Sequence, residues 1–502
     1  MQSVFGFHNR NRFRVYCYAT TASDHSPYRQ KIEREADVFL DVSSWATKDI
    51  IERVLQDQIH ILINLNGYTK GARNEVFAAR PAPVQISYMG FAGTLGAQWT
   101  DWFVTDPIVC PQDTVQPELW YKRRQEQHQK MAAGNSDQWV YTERMIYMPH
   151  SYFVDDHRQG FREKDDISPG HLHLSDHMTE AQLETRWLYE QDRRWAMRHE
   201  LFPQFPDDWF IFANFNQLYK IDPIIFRIWI KILVRVPKSI IWLLNFPAAG
   251  KEHLTRTALQ WHAGDPTVAQ RIVFTDVAPK EVHIHRGRVA DVFLDTPECN
   301  GHTTAVDILW SGTPIVTWPR NYHKLCSRVA ASVCLATGLA ESMIVQTGQE
   351  YEDLAVQLAT TVRYDYIPRM AEPPPSYHRV GHGTVMNLRK HLFLHRDTNR
   401  LFDTPRWTRN LEKGYAEAWR RWESGEEFLY TPTELTALDP RVAGDTDPSS
   451  SLNSSAAMGN STVTDQIQRA NGTFGLGSRG SIYVQDDDDG AMSAQFCRTQ
   501  NI

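Results

Sequence analysis

The sequence predicts an α/β protein of two similar lobes, each on a largely parallel sheet, followed by a disordered tail. Three observations carry this expectation. Short apolar runs alternate with helical stretches in two separate series, a segment with little strand pattern divides the series, and beyond Thr431 the composition turns to Ser, Asn, Gly and Asp. At 502 residues with 42% hydrophobic content, the chain is long enough for a core in each of two or three domains.

The first series runs through residues 14–106 as "RVYCYA", "ADVFLDV", "IHILINLN", "VQISYMG" and "DWFVTD". Each is a short β-prone run bounded by helical or turn residues, the rhythm of a parallel sheet with crossover helices. A Gln- and Lys-rich stretch at 112–138 interrupts it, and "RMIYMPHSYF" at 144–153 resumes it, so the first lobe is assigned to 1–157. Residues 158–208 are rich in His, Asp, Glu, Arg and Trp and read as an insert or linker. The second lobe, 209–400, opens with "WFIFANFN". Asp222 then supplies a helix cap and Pro223 a first turn, with Ile225, Trp229, Ile232, Leu233 and Val236 on one helical face. "SIIWLLNF", "RIVFTDV", "ADVFLD" and "PIVTW" give its further strands. Over 401–430, Trp407, Leu411, Tyr415, Ala418 and Trp422 trace a helical stripe expected to pack on the lobes. Residues 431–502, which include "DDDDG", lack the apolar content to fold and form the expected disordered tail.

Charge and cysteine usage narrow the function. A net charge of −7 and a pI near 6.3 argue against a dedicated nucleic-acid binder. Cys17, Cys110, Cys299, Cys326, Cys334 and Cys497 are scattered with no C-x-x-C pair, which suggests neither a disulfide scaffold nor a zinc site and fits a reducing compartment. The opening "MQSVFGFHNRNRFRVY" lacks the apolar core of a signal peptide. The most apolar stretch, 221–246, is interrupted by Arg227, Lys231, Arg235 and Lys238, so no membrane span is expected.

Chemistry concentrates in three segments of the second lobe. In "CNGHTTAVDILWSGTPIV" (299–316), a strand, a loop, a helix and a second strand follow one another. Such a helix N-terminus presents unpaired N–H groups and partial positive charge at the carboxyl edge of the sheet, where anions bind. Thr303 and Thr304 can add hydroxyl donors, Gly301 permits close backbone approach, and Asp307, one turn on, can grip ribose hydroxyls; alternatively His302 and the threonines merely cap the helix. "NFNQLYKIDP" (214–223) places Gln217 and Lys220 between a strand and a helix. There Lys220 is either a counter-charge for a departing diphosphate or a solvated loop lysine. "VAPKEVHIHRGR" (277–288) groups Lys280, His283 and Arg286 as a base or ribose pocket, or as a surface cluster. His283 and His285 have no second ligand pair at convincing spacing, and D-x-D occurs only in the tail, so no metal site is expected.

Taken in order, these three segments closely resemble the catalytic region of the O-linked N-acetylglucosamine transferases. In the first lobe, "HILINLNGYTKGARNEVFAARPAP" (60–83) and "MGFAGTLGA" (89–97) are similar to the same family. The resemblance runs from Met1 to about residue 425, apart from 112–138 and 156–208. It implies two Rossmann-like lobes of glycosyltransferase-B type, no cofactor and no metal. It also implies inverting transfer of N-acetylglucosamine from UDP-N-acetylglucosamine to Ser or Thr hydroxyls of intracellular proteins, in cytoplasm and nucleus, with no nucleic-acid or membrane partner.

By that resemblance Lys220 is the catalytic counter-charge, with Gln217 and Tyr219 beside it, and His302, Thr303 and Thr304 cradle the phosphates. Asp307 holds the ribose, while Ala278, Lys280, His283 and Arg286 receive the uridine. Cys299, Met89 and Gly90 line the sugar pocket, and Tyr68 and Lys70 form the first-lobe wall. Family members carry a first strand, an Asp-Phe-Gly-Asn-His loop and tetratricopeptide repeats ahead of the position matching Met1. The first lobe is therefore expected to be incomplete, from an N-terminally truncated chain. The alternatives are a protein O-fucosyltransferase using GDP-fucose, against which "GHTTAVD" weighs, and an inactive UDP-sugar-binding fragment.

Overall fold

In the computed structural model of the chain the described residues are 1–111, 114, 141, 143–162, 178–369, 377–425 and 481–487. Nearly all of the Gln- and Lys-rich stretch and most of the expected tail lie outside them. Each apolar run of the first series becomes a strand: β1 (Tyr16–Ala19), β2 (Val38–Asp41), β3 (Ile61–Asn64), β4 (Val84–Ser87), β5 (Trp102–Thr105) and β6 (Arg144–Tyr147). The second series supplies β7 (Phe210–Asn214), β8 (Ser239–Leu244), β9 (Ile272–Thr275), β10 (Val292–Leu294) and β11 (Ile315–Val316). A hairpin of β12 (Arg363–Pro368) and β13 (Tyr377–His382), and a late strand β14 (Ile482–Tyr483), complete the set.

The chain divides into two compact units, one of Met1–Phe153 with Pro405–Ile502 and one of Val154–Thr404. In the first unit β1 and β2 form a parallel pair, and a five-stranded parallel sheet runs in the order β3-β4-β5-β6-β14. Strands β4 and β5 are buried at every position, as expected of parallel strands covered on both faces. The helix Thr47–Gln56 turns Ile50 and Val54 onto Val42, Leu62, Val76 and Ala82. The helix Thr404–Glu423 buries Trp407, Leu411, Tyr415 and Ala418, and the Trp407 indole N–H donates to the Ser151 carbonyl at 3.2 Å.

The tail differs from expectation at one place. Ile482 and Tyr483 pair with Ile146 and Tyr147, the two tyrosine rings stack at 5.0 Å, and the Asp486 carboxylate binds His150 (3.1 Å) and Arg406. A two-residue strand in a polar, low-complexity context carries no periodic signal, so composition alone could not reveal it.

The second unit has a five-stranded parallel sheet in the order β11-β10-β7-β8-β9. Asp222 caps the helix Pro223–Arg235, its Oδ1 accepting from the N–H groups of Ile224 (2.8 Å) and Ile225 (3.2 Å). That helix buries the predicted face and also Phe226, Ile228 and Ile230 against the sheet. Residues 180–201, read from sequence as part of an insert or linker, are instead the 22-residue helix Glu180–Leu201 packed within this unit, opened by a Thr179–Gln182 capping box. Its inward face carries Trp187, Glu190, Gln191, Arg194, Trp195 and Arg198, too polar to show an amphipathic stripe. Among the described residues no helix is long and apolar enough to cross a membrane.

Candidate functional site

Strand β7 is the pivot of the second sheet. From it the chain proceeds to β8 and β9 on one side, whereas β10 and β11 lie on the other, so the strand order reverses between β7 and β10. Ligands of open parallel sheets bind outside the carboxyl ends of the strands at such a reversal. The loops leaving β7 and β10 there are the two that carry Gln217, Tyr219 and Lys220, and Cys299, His302, Thr303 and Thr304.

Two asparagines tie these segments together and a third braces the second loop internally. Asn214 Nδ2 donates to the Leu294 carbonyl (2.7 Å), Asn216 Nδ2 to Thr296 Oγ1 (2.9 Å), and Asn300 Nδ2 to the Thr296 carbonyl (2.9 Å). Lys220 Nζ donates to the Asn300 carbonyl at 2.8 Å, which fixes the ammonium beside the loop. An ammonium has three donors, so this anchor leaves two to point elsewhere. Gln217 and Tyr219 are exposed beside it, Tyr219 by 71%.

Beneath the loop, buried Asp295 accepts from the Gly301 N–H and the Thr317 hydroxyl, both at 2.8 Å. Burial pushes its carboxyl up to about 6 against those bonds. His302 is driven the other way, to about 4, first by burial and then by the Lys220 charge, and its Nε2 lies 3.3 Å from the Cys326 carbonyl oxygen. It is therefore a neutral imidazole at physiological pH. The helix Thr303–Trp310 begins after it with no side-chain cap, so its first N–H groups are not consumed as a routine cap would consume them. Thr303 is exposed and Thr304 half-buried at that end.

The loop after β9 and the helix Lys280–Arg286 bring Ala278, Lys280, His283 and Arg286 to the same unit. The buried Arg286 guanidinium stacks over Phe215 and Trp242 (5.8 and 5.6 Å) and donates through Nη1 to the Asp276 carbonyl at 3.2 Å. Its Nε and Nη2, with His283 Nδ1, are buried without a hydrogen-bond partner among the described residues. Such groups are costly unless something supplies acceptors or donors to them. Lys280 Nζ lies 4.7 Å above the Phe161 ring.

Asp307 differs from the simple ribose grip. Its side chain is buried; Oδ1 accepts from His157 Nε2 at 2.6 Å, and Oδ2 lies 3.9 Å from His283 Nε2. His157 in turn places Nδ1 3.2 Å from Asp155 Oδ1. Burial works against the imidazolium, but the hydrogen bonds and charges of Asp155 and Asp307 outweigh it and hold His157 up at about 9. Sequence reading placed His157 at the end of the first lobe, whereas it belongs to the second unit. Only the D-D-H run at 155–157 could have flagged it.

The first unit carries Tyr68 and Lys70 after β3, and Met89 and Gly90 after β4, at the carboxyl ends of neighbouring parallel strands. Asn64 Oδ1 accepts from the N–H groups of Asn66 (3.0 Å) and Gly67 (2.8 Å), and the Tyr68 hydroxyl donates to the Leu95 carbonyl at 2.7 Å. Glu143 ties the second loop by accepting from the Leu95 N–H and the Thr94 hydroxyl, both at 2.6 Å. Lys70 is exposed. Met89 adopts φ +67°, an expensive backbone for a side-chain-bearing residue, and a Cβ on Gly90 would meet the Leu65 carbonyl oxygen at 1.9 Å. The sequence analysis does not single out Glu143, whose partners lie 48 and 49 residues away, nor Asn64, which falls within the 60–83 motif but shapes the loop only through its own neighbours.

Comparison with known proteins bears on family and fold. The model of the family described as Glycosyl transferase family 41 matches residues 1–121 and 189–370. An Arabidopsis thaliana protein named probable UDP-N-acetylglucosamine-peptide N-acetylglucosaminyltransferase SEC is 42% identical over 428 residues, covering 85% of this chain and 36% of its own length. The Caenorhabditis elegans UDP-N-acetylglucosamine-peptide N-acetylglucosaminyltransferase is 33% identical over 505 residues, covering 85% and 40%. The chain thus spans well under half the length of these curated relatives. Among solved structures, a mutant of Thermobaculum terrenum O-GlcNAc transferase superposes with a TM-score of 0.59 at 23% identity, over 84% of this chain and 64% of that one, a match of fold.

Proposed function

Because the chain belongs to glycosyl transferase family 41, we propose that it moves N-acetylglucosamine from UDP-N-acetylglucosamine to serine and threonine hydroxyls of intracellular proteins in cytoplasm and nucleus. Transfer inverts the anomeric carbon and uses no metal. The observation that carries this reading is the Lys220 ammonium held at 2.8 Å from the Asn300 carbonyl, beside a helix N-terminus that no side chain caps. In the reaction the acceptor oxygen attacks the anomeric carbon as its bond to UDP breaks, and negative charge develops on the departing diphosphate. Lys220, Thr303, Thr304 and the first-turn N–H groups are fixed donors for that charge, the part a divalent cation plays elsewhere. His302, neutral, adds a polar wall without repelling Lys220.

The uracil edge would satisfy the unpartnered nitrogens of His283 and Arg286, with Ala278 offering backbone groups and Lys280 the ribose side. Asp307 Oδ2 is left to accept from ribose hydroxyls, because Oδ1 is held by His157. Gln217, Tyr219 and Cys299 border the diphosphate and sugar; within the first unit, Tyr68, Lys70, Met89 and Gly90 sit on loops at the carboxyl ends of β3 and β4.

The test is calorimetry of the purified protein with UDP and GDP, followed by transfer to a serine- and threonine-bearing peptide in chelator from UDP-N-acetylglucosamine or GDP-fucose, using the full-length protein. Tighter UDP binding and N-acetylglucosamine incorporation are expected. A GDP or fucose preference, or transfer abolished by chelator, would overturn the reading. Lys220→Met is expected to cut turnover by about 10²–10³ while UDP affinity changes little; unchanged turnover removes Lys220 from the mechanism.

A further inference from the structure

Cys299 and Cys326 are both free and half-buried, whereas Cys110 and Cys334 are fully buried. Their backbones are stitched together: the Asn300 N–H donates to the Cys326 carbonyl at 2.7 Å, and the Cys326 thiol donates to the Glu298 carbonyl at 3.6 Å. Residues 298 and 300, on either side of Cys299, are thus both held against Cys326, which brings the two cysteines side by side. Lys220 and Lys324 both act on Cys299. Because Lys220 binds the carbonyl of the residue after Cys299, anything that moves Cys299 moves the anchor of that ammonium.

We propose that Cys299 and Cys326 are a peroxide-oxidisable thiol pair that closes to a disulfide at the edge of the diphosphate seat and suppresses donor binding. The site's placement rests on the function proposed above; the thiol chemistry does not. Pairing with the Cys326 thiol, and then the Lys220 charge, hold Cys299 below the ordinary thiol range against burial, which favours its thiolate as the attacking sulfur. Cys326 is pushed up by the same pairing and by burial, and stays protonated as the resolving thiol.

The Cys299 thiolate attacks one oxygen of hydrogen peroxide, the O–O bond breaks, and hydroxide leaves, taking a solvent proton to become water. Sulfenic acid remains on Cys299. The Cys326 sulfur then attacks the sulfenic sulfur, the S–O bond breaks, and the displaced hydroxide takes the Cys326 proton as a second water. Two thiols are oxidised by two electrons and one peroxide is reduced to two waters. The new bond ties the loop that carries Gly301 and His302 to the turn at Leu325–Ser327.

The experiment exposes the full-length protein to hydrogen peroxide, digests it without reductant, and identifies disulfide-linked peptides by mass spectrometry, with UDP calorimetry on the same samples. A Cys299–Cys326 peptide, loss of UDP binding, and recovery of both with dithiothreitol are expected. Cys326→Ser should bind UDP normally before oxidation and then accumulate a dimedone-reactive sulfenic acid at Cys299. The proposal is overturned if both thiols still alkylate after peroxide, if Cys299 links elsewhere, or if the disulfide forms and UDP affinity is unchanged. If the reduced protein does not bind UDP at all, the function reading fails instead, and the linked peptide still reports on the thiol pair.

Discussion

His157 shows how much a single residue can hide. It is buried between two carboxylates and held at about 9, above the ordinary 6.5. A raised pKa in the folded state means that its contribution to stability is fully present below pH 6.5 and disappears as pH rises through about 9. His157→Gln should therefore lower the denaturation midpoint most at mildly acidic pH, and the gap to the parent should close on the alkaline side; a gap independent of pH would contradict the assignment. Since His157 also orients Asp307, the same variant should raise the donor KM with turnover little changed. The Asp307 position was legible in the motif, because a carboxylate one turn into a helix is a local pattern. Its partner was not, being 150 residues away in sequence. Gly90 belongs at this scale too. An alanine there would drive its Cβ into the Leu65 carbonyl, and overpacking of that kind costs about 1–3 kcal/mol, measurable as a lowered melting midpoint.

Among the elements, the helix Glu180–Leu201 is where sequence reading failed most instructively. Strands β3 to β11 were visible because apolar runs of the right length announce a buried parallel sheet. This helix hides Arg194 and Arg198 under the second sheet instead. There Asp291 binds Arg194 and accepts the Ile211 N–H at 2.7 Å, with Arg198 4.0 Å away. Arg389 joins through the carbonyls of Ala290 and Arg288, and burial, then the Arg194 charge, lowers it to about 9. Hydrophobic periodicity cannot report a face whose inward residues are charged and whose partners lie on other elements. Because removing one member leaves buried charge uncompensated, Asp291→Ala should cost about 3–5 kcal/mol by chemical denaturation. A loss below about 1 kcal/mol would show that the arginines find other acceptors.

At the scale of the whole molecule, each unit has its own parallel sheet, and the strands of both were legible as two βα series, yet the completion of the first sheet was not. Its outer strand, β14, comes from residues 482–483, far along the chain from β6, its partner. Lys413 donates to the Gln485 carbonyl at 2.8 Å and pairs with Asp487 at the same distance, so the helix Thr404–Glu423 helps clamp the segment. A strand supplied from so far along the chain is an intramolecular ligand for the β6 edge, and an edge left without it is open to the same segment of a second molecule. Ending the chain at Gly425 should leave the β6 edge open and make sedimentation depend on protein concentration, while a synthetic peptide of residues 481–487 should reverse that dependence. The last strand of this sheet is thus a detachable stave: seven residues held by one short ladder, a carbonyl and two carboxylates close an edge that the first series of strands leaves open.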